Sequence, residues 1–280
     1  ENYSTKEYTG HYNRGNNGLW SIAFSPYMEV DRHRWDRIET GALIGAGKNV
    51  RIESGEDINL KGTTIQANEN ILTYSKGSTT MTPGYSSFSA SQTGYDLGHI
   101  EGIFKNPRNK YDRAFIRQWY KNSSHYGTDV VSPELFAGGK IQIFSENNIT
   151  LEAAKVSSLD GIDVVARRDI DILAAKDSRW GNSFERRTES RIWERYGREY
   201  ISPTQLISDG DINLVAGYTG AFFKEGGALG KLNPRDSVEF KIHDFESDHQ
   251  GRLRIQGSAI QSGKRINLEA ITDVIIETIN

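Results

Sequence analysis

The chain has no cysteine. Disulfides, thiolate metal sites and cysteine nucleophiles are excluded together. It has no charge surplus either: 34 basic residues face 37 acidic ones, a formal net charge of −3. Such a chain carries no positive field to gather nucleic acid or an anionic membrane, so no nucleic-acid partner is expected. No apolar run approaches the ~20 residues of a membrane-spanning helix. A Gly-x-Ser-x-Gly nucleophile motif is missing, as is a phosphate-cradling glycine loop behind a strand. Gly226-Gly227-Ala228-Leu229-Gly230 is glycine-rich, but no repeat strand runs directly into it. Proline is scarce, with 6 residues. The sequence opens on Glu1-Asn2-Tyr3 without Met or a signal-peptide pattern and closes on the apolar Val274-Ile275-Ile276. It therefore reads as an excerpt from a longer protein.

What is present is a repeat. Aliphatic residues stand at Leu135, Ile141, Ile143, Ile149 and Leu151, and again 21 residues later at Val156, Ile162, Val164, Ile170 and Ile172. The same gaps of six, two, six and two join Ile44, Val50, Ile52, Ile58 and Leu60, followed by Ile65, Ile71 and Thr73, where the pattern stops. It returns as Leu206, Ile212 and Leu214, and as Ile260, Ile266, Leu268, Val274 and Ile276. A gap of two is the strand signal, because side chains two apart share a face. Between the pairs stand turn residues that tolerate a left-handed backbone, as in Ser54-Gly55-Glu56-Asp57 and Ser208-Asp209-Gly210-Asp211.

One such unit cannot bury its aliphatic row, but stacked units bury the rows as a column. The period predicts an all-β solenoid, a parallel β-helix of ~21-residue coils hydrogen-bonded ~4.8 Å apart. A β-sandwich also spaces its strands evenly, but it needs no fixed translation of core positions. The chain is thus one β-helix segment with coils at approximately 42–73, 133–175, 204–217 and 258–277, and insertions at 1–41, 74–132, 176–203 and 218–257. The expected core comprises Ile58, Leu60, Ile141, Ile149, Leu151, Ile162, Ile170, Ile172, Ile212, Leu214, Ile266 and Leu268.

The division is also chemical. Trp20, Trp35, Trp119, Trp180 and Trp193 all fall in the insertions, as do all the histidines. Only Phe136 and Phe144 among the phenylalanines belong to coils. A narrow coil is filled best by aliphatic side chains, so the rings must pack elsewhere. Asn106-Pro107 followed by Tyr111, Phe115, Ile116, Trp119 and Tyr120 at three- and four-residue spacing predicts a helix. For Glu185 to Tyr200, a helix stripe of Ile192, Trp193, Tyr196 and Tyr200 and a twisted hairpin are both open.

The coil sequences resemble a known family. Ser208-Asp209-Gly210-Asp211-Ile212-Asn213-Leu214-Val215-Ala216-Gly217 is similar to the haemagglutinin repeat of large two-partner-secretion exoproteins, a group that includes filamentous haemagglutinin and contact-dependent growth inhibition toxins. Gly55-Glu56-Asp57-Ile58-Asn59-Leu60-Lys61-Gly62, Arg168-Asp169-Ile170-Asp171-Ile172-Leu173-Ala174-Ala175 and Asn148-Ile149-Thr150-Leu151-Glu152-Ala153-Ala154 share its shape. The resemblance covers the coils and not the insertions. It implies a right-handed parallel β-helix, secreted or held at the cell surface of a Gram-negative bacterium through an outer-membrane secretion partner. It further implies adhesion to a cell-surface receptor, or delivery of a C-terminal toxin in contact with the outer membrane of a target cell. The family's motifs are structural, so no catalytic residue carries over.

Candidate sites are few. Asp96-Leu97-Gly98-His99, with Asn106 or Asn122, has the faint outline of a metal-nuclease motif, but the match is short and a loop histidine is the better reading. His243-Asp244, Glu246, Asp248 and His249 read as a solvated loop more readily than as a metal site. The enzymatic alternative is a polysaccharide lyase or hydrolase, which needs convergent carboxylates on one outer face. Gln142 lies over Asp163 and Thr150 over Asp171, which places the two aspartates on different strands of one coil. Arg186-Arg187, Arg191, Arg195 and Arg198 run beside Trp193, Tyr196 and Tyr200, with Glu185, Glu189, Glu194 and Glu199 interleaved to cancel the charge. The reading is a non-enzymatic binding segment that needs no metal or cofactor. Trp119, Tyr120, Trp193 and Tyr196 are its candidate partner contacts, since loops on a rigid scaffold carry specificity.

Overall fold

The computed structural model describes residues 2–9, 28–101, 115–187, 191–218 and 251–279, and every regular element among them is a strand. The chain begins with β1 (Asn2–Thr9) and β2 (Met28–Arg37). Coil 1 is β3 (Leu43–Ala46), β4 (Val50–Ser54) and β5 (Ile58–Lys61), and coil 2 is β6 (Thr64–Ala67), β7 (Ile71–Ser75) and β8 (Thr79–Thr82). Two long strands follow, β9 (Gly84–Glu101) and β10 (Phe115–Val131). Coil 3 is β11 (Glu134–Ala137), β12 (Lys140–Ser145) and β13 (Ile149–Glu152), and coil 4 is β14 (Lys155–Ser158), β15 (Gly161–Ala166) and β16 (Ile170–Leu173). Then come β17 (Ala175–Arg187) and β18 (Arg191–Ser202). Coil 5 is β19 (Gln205–Ser208), β20 (Asp211–Ala216) and β21 (Leu253–Gln256), and coil 6 is β22 (Ala259–Ser262), β23 (Ile266–Ala270) and β24 (Val274–Glu277).

First, second and third strands of the coils each form a six-stranded sheet, in the order of the coils. These sheets are parallel, with Ile141 beside Ile162 and Ile149 beside Ile170. The fold is a parallel β-helix. Alternation in each strand sends one aliphatic row inward, as in β12, where Ile141 and Ile143 are fully buried and Gln142 faces out. The inward rows of the coils merge into one core cluster that includes Ile65, Ile149, Leu151, Ile170, Ile172, Ile212 and Leu214. Ile58 is buried, Leu60 and Leu268 pack partly buried against this cluster, and Ile266 in coil 6 is 44% exposed. At the corners, turn side chains bond to the coil above: Asn148 Oδ1 accepts from the Asp169 N–H at 3.1 Å, and Asp169 Oδ1 from the Arg252 N–H at 2.9 Å.

The parallel sheets also include two strands that the repeat template passes over. In β8 the inward positions are Thr79 and Met81, opposite Ile58 and Leu60, and Thr79 is satisfied by Ser75 Oγ at 2.9 Å. A hydroxyl with a partner inside the column was invisible to a search for aliphatics. In β21, Leu253 and Ile255 stand opposite Ile170 and Ile172, but 217–252 interrupts coil 5 between its second and third strands and breaks the 21-residue period. The coil rings Tyr74, Phe136 and Phe144 occupy outward positions. Phe144 is fully buried there, in a second cluster with Leu72, Tyr74, Val165, Val215 and Tyr218.

A second compact unit, formed by 1–38, 86–129 and 178–199, holds a six-stranded antiparallel sheet in the order β1-β2-β9-β10-β17-β18. Each pair of coils in the sequence is thus preceded by a pair of strands in this sheet. The helix predicted around Phe115, Ile116, Trp119 and Tyr120 is not there, because these residues lie in β10; Asn106, Pro107 and Tyr111 fall outside the described residues. Aromatic and β-branched side chains suit a pleated surface, and β9 and β17 on either side supply hydrogen bonds along both edges of β10. The stretch from Glu185 to Tyr200 resolves in favour of strands, β17 and β18.

Candidate functional site

The antiparallel sheet is a single layer in which no described residue joins a hydrophobic core cluster. Its side chains nonetheless sort cleanly by face. Register fixes β10 against β17, with Tyr120 opposite Arg186, Asn122 opposite Phe184 and Tyr126 opposite Trp180. Contacts carry the same order into β18. Phe184 lies against Trp193 with ring centroids 4.2 Å apart, and Tyr120 lies 6.0 Å from Phe184. Trp180 covers Gly197, where an added Cβ would sit 2.2 Å from the indole. Tyr120, Tyr126, Trp180, Phe184 and Trp193 therefore share one face.

The other face carries Phe88, His125 and Tyr196. The Tyr196 ring rests on Gly181, where a Cβ would sit 2.4 Å from it, and the phenol meets His125 Nδ1 at 2.5 Å. Phe88 covers Gly127, with the Arg179 guanidinium 6.0 Å from its centroid. Ser183 donates to Glu194 on this face at 3.1 Å. Glycine under a ring is how a two-sided sheet seats bulky rings: the ring covers backbone that no side chain protects.

Of the four residues singled out from sequence, Tyr120 and Trp193 meet through Phe184, and Tyr196 lies on the opposite face. Trp119 pairs with Arg187 in the register. Trp193 is 70% exposed and Tyr196 47% exposed. Trp35, Tyr126 and Trp180 are exposed as well, and sequence reasoning did not select them. The missed signal was the glycines: Gly181 and Gly197, each beside a ring-bearing strand, mark where Tyr196 and Trp180 lie.

On the solenoid, several outward polar side chains are held in pairs between coils. Asp163 is fully buried at an outward position of β15, with Lys140 Nζ at 2.6 Å, Asn213 Nδ2 at 2.8 Å and Gln142 Nε2 at 3.4 Å. Asp171 lies on β16, in a different sheet. Burial raises its pKa, against the attraction of Arg252, whose guanidinium is 3.5 Å away without an aligned hydrogen bond. The two aspartates do not converge, as their placement in the repeat predicts. Tyr74 donates to Glu146 at 2.7 Å, and Arg167 holds the second oxygen of that carboxylate at 2.5 Å. Desolvation first, then the bond to Glu146, push the Tyr74 phenol up to about 12. Among the described residues no three His, Asp or Glu side chains gather as a metal site. Asp96 to His99 lie in β9, with Asn122 in β10, whereas Asn106 and the 243–249 cluster fall outside the described residues.

Residues 33–103 and 116–190, more than half of the chain, match the family model of the hemagglutinin repeat. The chain belongs to the haemagglutinin-repeat family. No curated protein and no solved structure matches it. Each matched segment takes in a strand of the antiparallel sheet, two coils, and another strand of that sheet. The family unit therefore includes insertion strands, which corrects the expectation that the resemblance stops at the coils. The haemagglutinin repeat is a structural, non-catalytic unit, and the general role of this protein is that of a haemagglutinin-type exoprotein.

Proposed function

We propose that this segment serves adhesion, or delivery of a C-terminal toxin, in a secreted or surface-held exoprotein, and that the antiparallel sheet makes the contact with the target cell. The supporting observation is the placement of rings. Trp193, Trp180, Tyr126 and Tyr196 remain exposed on a sheet that has no core cluster to join. Rigid aromatic side chains lose little entropy on docking and dominate interface energetics. The solenoid, with a column buried through coils 2 to 5, supplies a scaffold that holds its shape. Family membership supports a secretion partner in the outer membrane and a receptor on the target cell.

The test is binding of the purified chain to whole Gram-negative cells and to outer-membrane vesicles. Saturable binding that weakens at least tenfold in a Trp180→Ser/Trp193→Ser variant of unchanged melting temperature is the expected result. Binding that is indifferent to the rings on both faces of the sheet would remove this sheet as the contact.

A further inference from the structure

Strand alternation separates the charges that the sequence interleaves. Arg191, Trp193, Arg195, Gly197 and Glu199 share a face of β18, and Phe184 and Arg186 lie on the same face of β17. Glu185 and Glu194 fall on the opposite face, where Glu194 takes its bond from Ser183. Two of the interleaved glutamates, Glu185 and Glu194, therefore do not oppose these arginines in space, whereas Glu199 stays on their face and Glu189 lies outside the described residues. On the β10, β17 and β18 portion of this face, Glu199 is the only acidic side chain among the described residues. Arg186, Arg191 and Arg195 make no ion pair and no side-chain hydrogen bond among the described residues. The pairing that sets Phe184 beside Trp193 also sets Arg186 beside Arg191, two like charges across neighbouring strands, which is destabilising without an anion between them. Along the strand, Arg191 and Arg195 flank Trp193 and lie about 13 Å apart.

We infer that this face binds an acidic glycan. The inference rests on the contact role proposed above and names the chemistry of the partner. A sugar ring lies on the exposed side of Trp193, whose other side is taken by Phe184. Carboxylates on the sugars to either side pair with Arg191 and Arg195, whose planar guanidinium forks match a carboxylate. Asn122, Asn182 and Ser124, interleaved with the rings on this face, answer the sugar hydroxyls. Single-stranded nucleic acid also uses rings and arginines. It stacks successive bases on a row of rings, however, whereas Arg191 and Arg195 flank the single ring that β18 presents on this face, Trp193.

The experiment is calorimetric or fluorescence titration of the whole chain with oligogalacturonate and oligoguluronate of about six sugars, neutral dextran oligosaccharides, and oligothymidylate. Expected are saturable quenching of tryptophan fluorescence by the uronates, weakening as salt rises, and no binding of dextran. Trp193→Ala and Arg191→Gln/Arg195→Gln should each weaken uronate binding at least tenfold, while Ser183→Ala and Arg198→Gln on the other face leave it within twofold. No uronate binding, equal loss from both faces, or tighter binding of oligothymidylate would overturn the inference. Cell binding separates the two levels: if ring-dependent cell binding persists without uronate binding, the contact role stands and the glycan assignment fails. If both are missing, both fail.

Discussion

The two β regions of this protein obey the same alternation and use it in opposite ways. In a coil strand, alternation sorts aliphatic from polar, and stacking withdraws the aliphatic row from water; Ile143, Ile162 and Ile170 are fully buried. In the antiparallel sheet, alternation sorts charge and shape. Rings stand on both faces, Glu185 and Glu194 stand on one and Arg186, Arg191 and Arg195 on the other, and β18 is exposed along almost its whole length. The solenoid gains stability from area removed from water, ~25 cal/mol per Å². The sheet holds together through backbone pairing, rings seated on glycine and ring pairs such as Phe184 with Trp193, each worth about 0.5–1.5 kcal/mol beyond area. A region whose side chains are not consumed by a core has them free for a partner.

The widest gap between the regions should appear when the same charge is placed in each. Ile170→Asp puts a carboxylate into the column with no partner, at a cost of several kcal/mol, and should abolish the cooperative thermal transition. Ile192→Asp, at an exposed position of β18, should change stability by less than about 0.5 kcal/mol. Equal effects in circular dichroism melts would mean that the column is not the source of stability. Next in size is the outward row of the solenoid. Phe144→Ala empties a fully buried ring site and should cost about 3–5 kcal/mol. Phe136→Ala, half-buried on the outer face of β11, should cost well under half of that. Urea titrations of the two variants read this directly.

How much of this was legible in the sequence depended on whether the packing was aliphatic. The column was readable because Ile, Val and Leu recur at fixed spacing. Met81 and Thr79 escaped because an inward threonine with a hydrogen-bond partner has no hydropathic signature. Leu253 and Ile255 escaped because the period is broken before them. In the antiparallel sheet, the ring spacing of Phe115, Ile116, Trp119 and Tyr120 fits a helix stripe as well as a strand, and only the neighbouring strands decide between them. Of the candidate contacts, Tyr120 and Trp193 were brought together. Tyr196 was not, since a residue three positions from Trp193 lies on the other face of a strand and on the same face of a helix. The expected cancellation of arginines by Glu185 and Glu194 failed for the same reason: linear charge balance says nothing until the secondary structure is known.

A smaller effect tests whether the outward face of the solenoid is as dry as the column. An unfolded chain ionises tyrosine near pH 10, whereas Tyr74 holds its proton up to about 12. Below pH 10 both states are neutral there and the contribution is intact. Between pH 10 and 12 the unfolded chain gives up the proton and the fold does not, so stability falls, by up to about 2–3 kcal/mol from this group. Tyr85 and Tyr218 are raised as well, chiefly by burial, and add to the slope. The difference between the native chain and Tyr74→Phe in denaturant midpoints from pH 8 to pH 11.5 isolates the one phenol. Parallel curves would mean that water reaches it.

The finest comparison lies within the solenoid, at the corner after the third strand of a coil. Gly62 turns there with φ 54°, Gly257 with φ 56° and Ala153 with φ 49°. A left-handed backbone costs a residue with a Cβ about 1–2 kcal/mol relative to glycine. Gly62→Ala incurs that cost and recovers about 0.4–1 kcal/mol through a less flexible unfolded chain. Its new methyl meets Val131 Cγ1 at 3.4 Å, ordinary contact, and the Val131 carbonyl oxygen at a tighter 3.3 Å. A net loss of about 1 kcal/mol is expected. Ala153→Gly runs the exchange backwards and gives up one further term. The Ala153 methyl is fully buried, and removing it forfeits about 0.8 kcal/mol of burial. The three contributions nearly cancel, so Ala153→Gly should leave the melting temperature within about 2 °C of the native value. Alanine is tolerated at that corner because the interior repays its strain. A large stabilisation by Ala153→Gly would show that the methyl is not packed, and a neutral Gly62→Ala would show that the corner is not held left-handed.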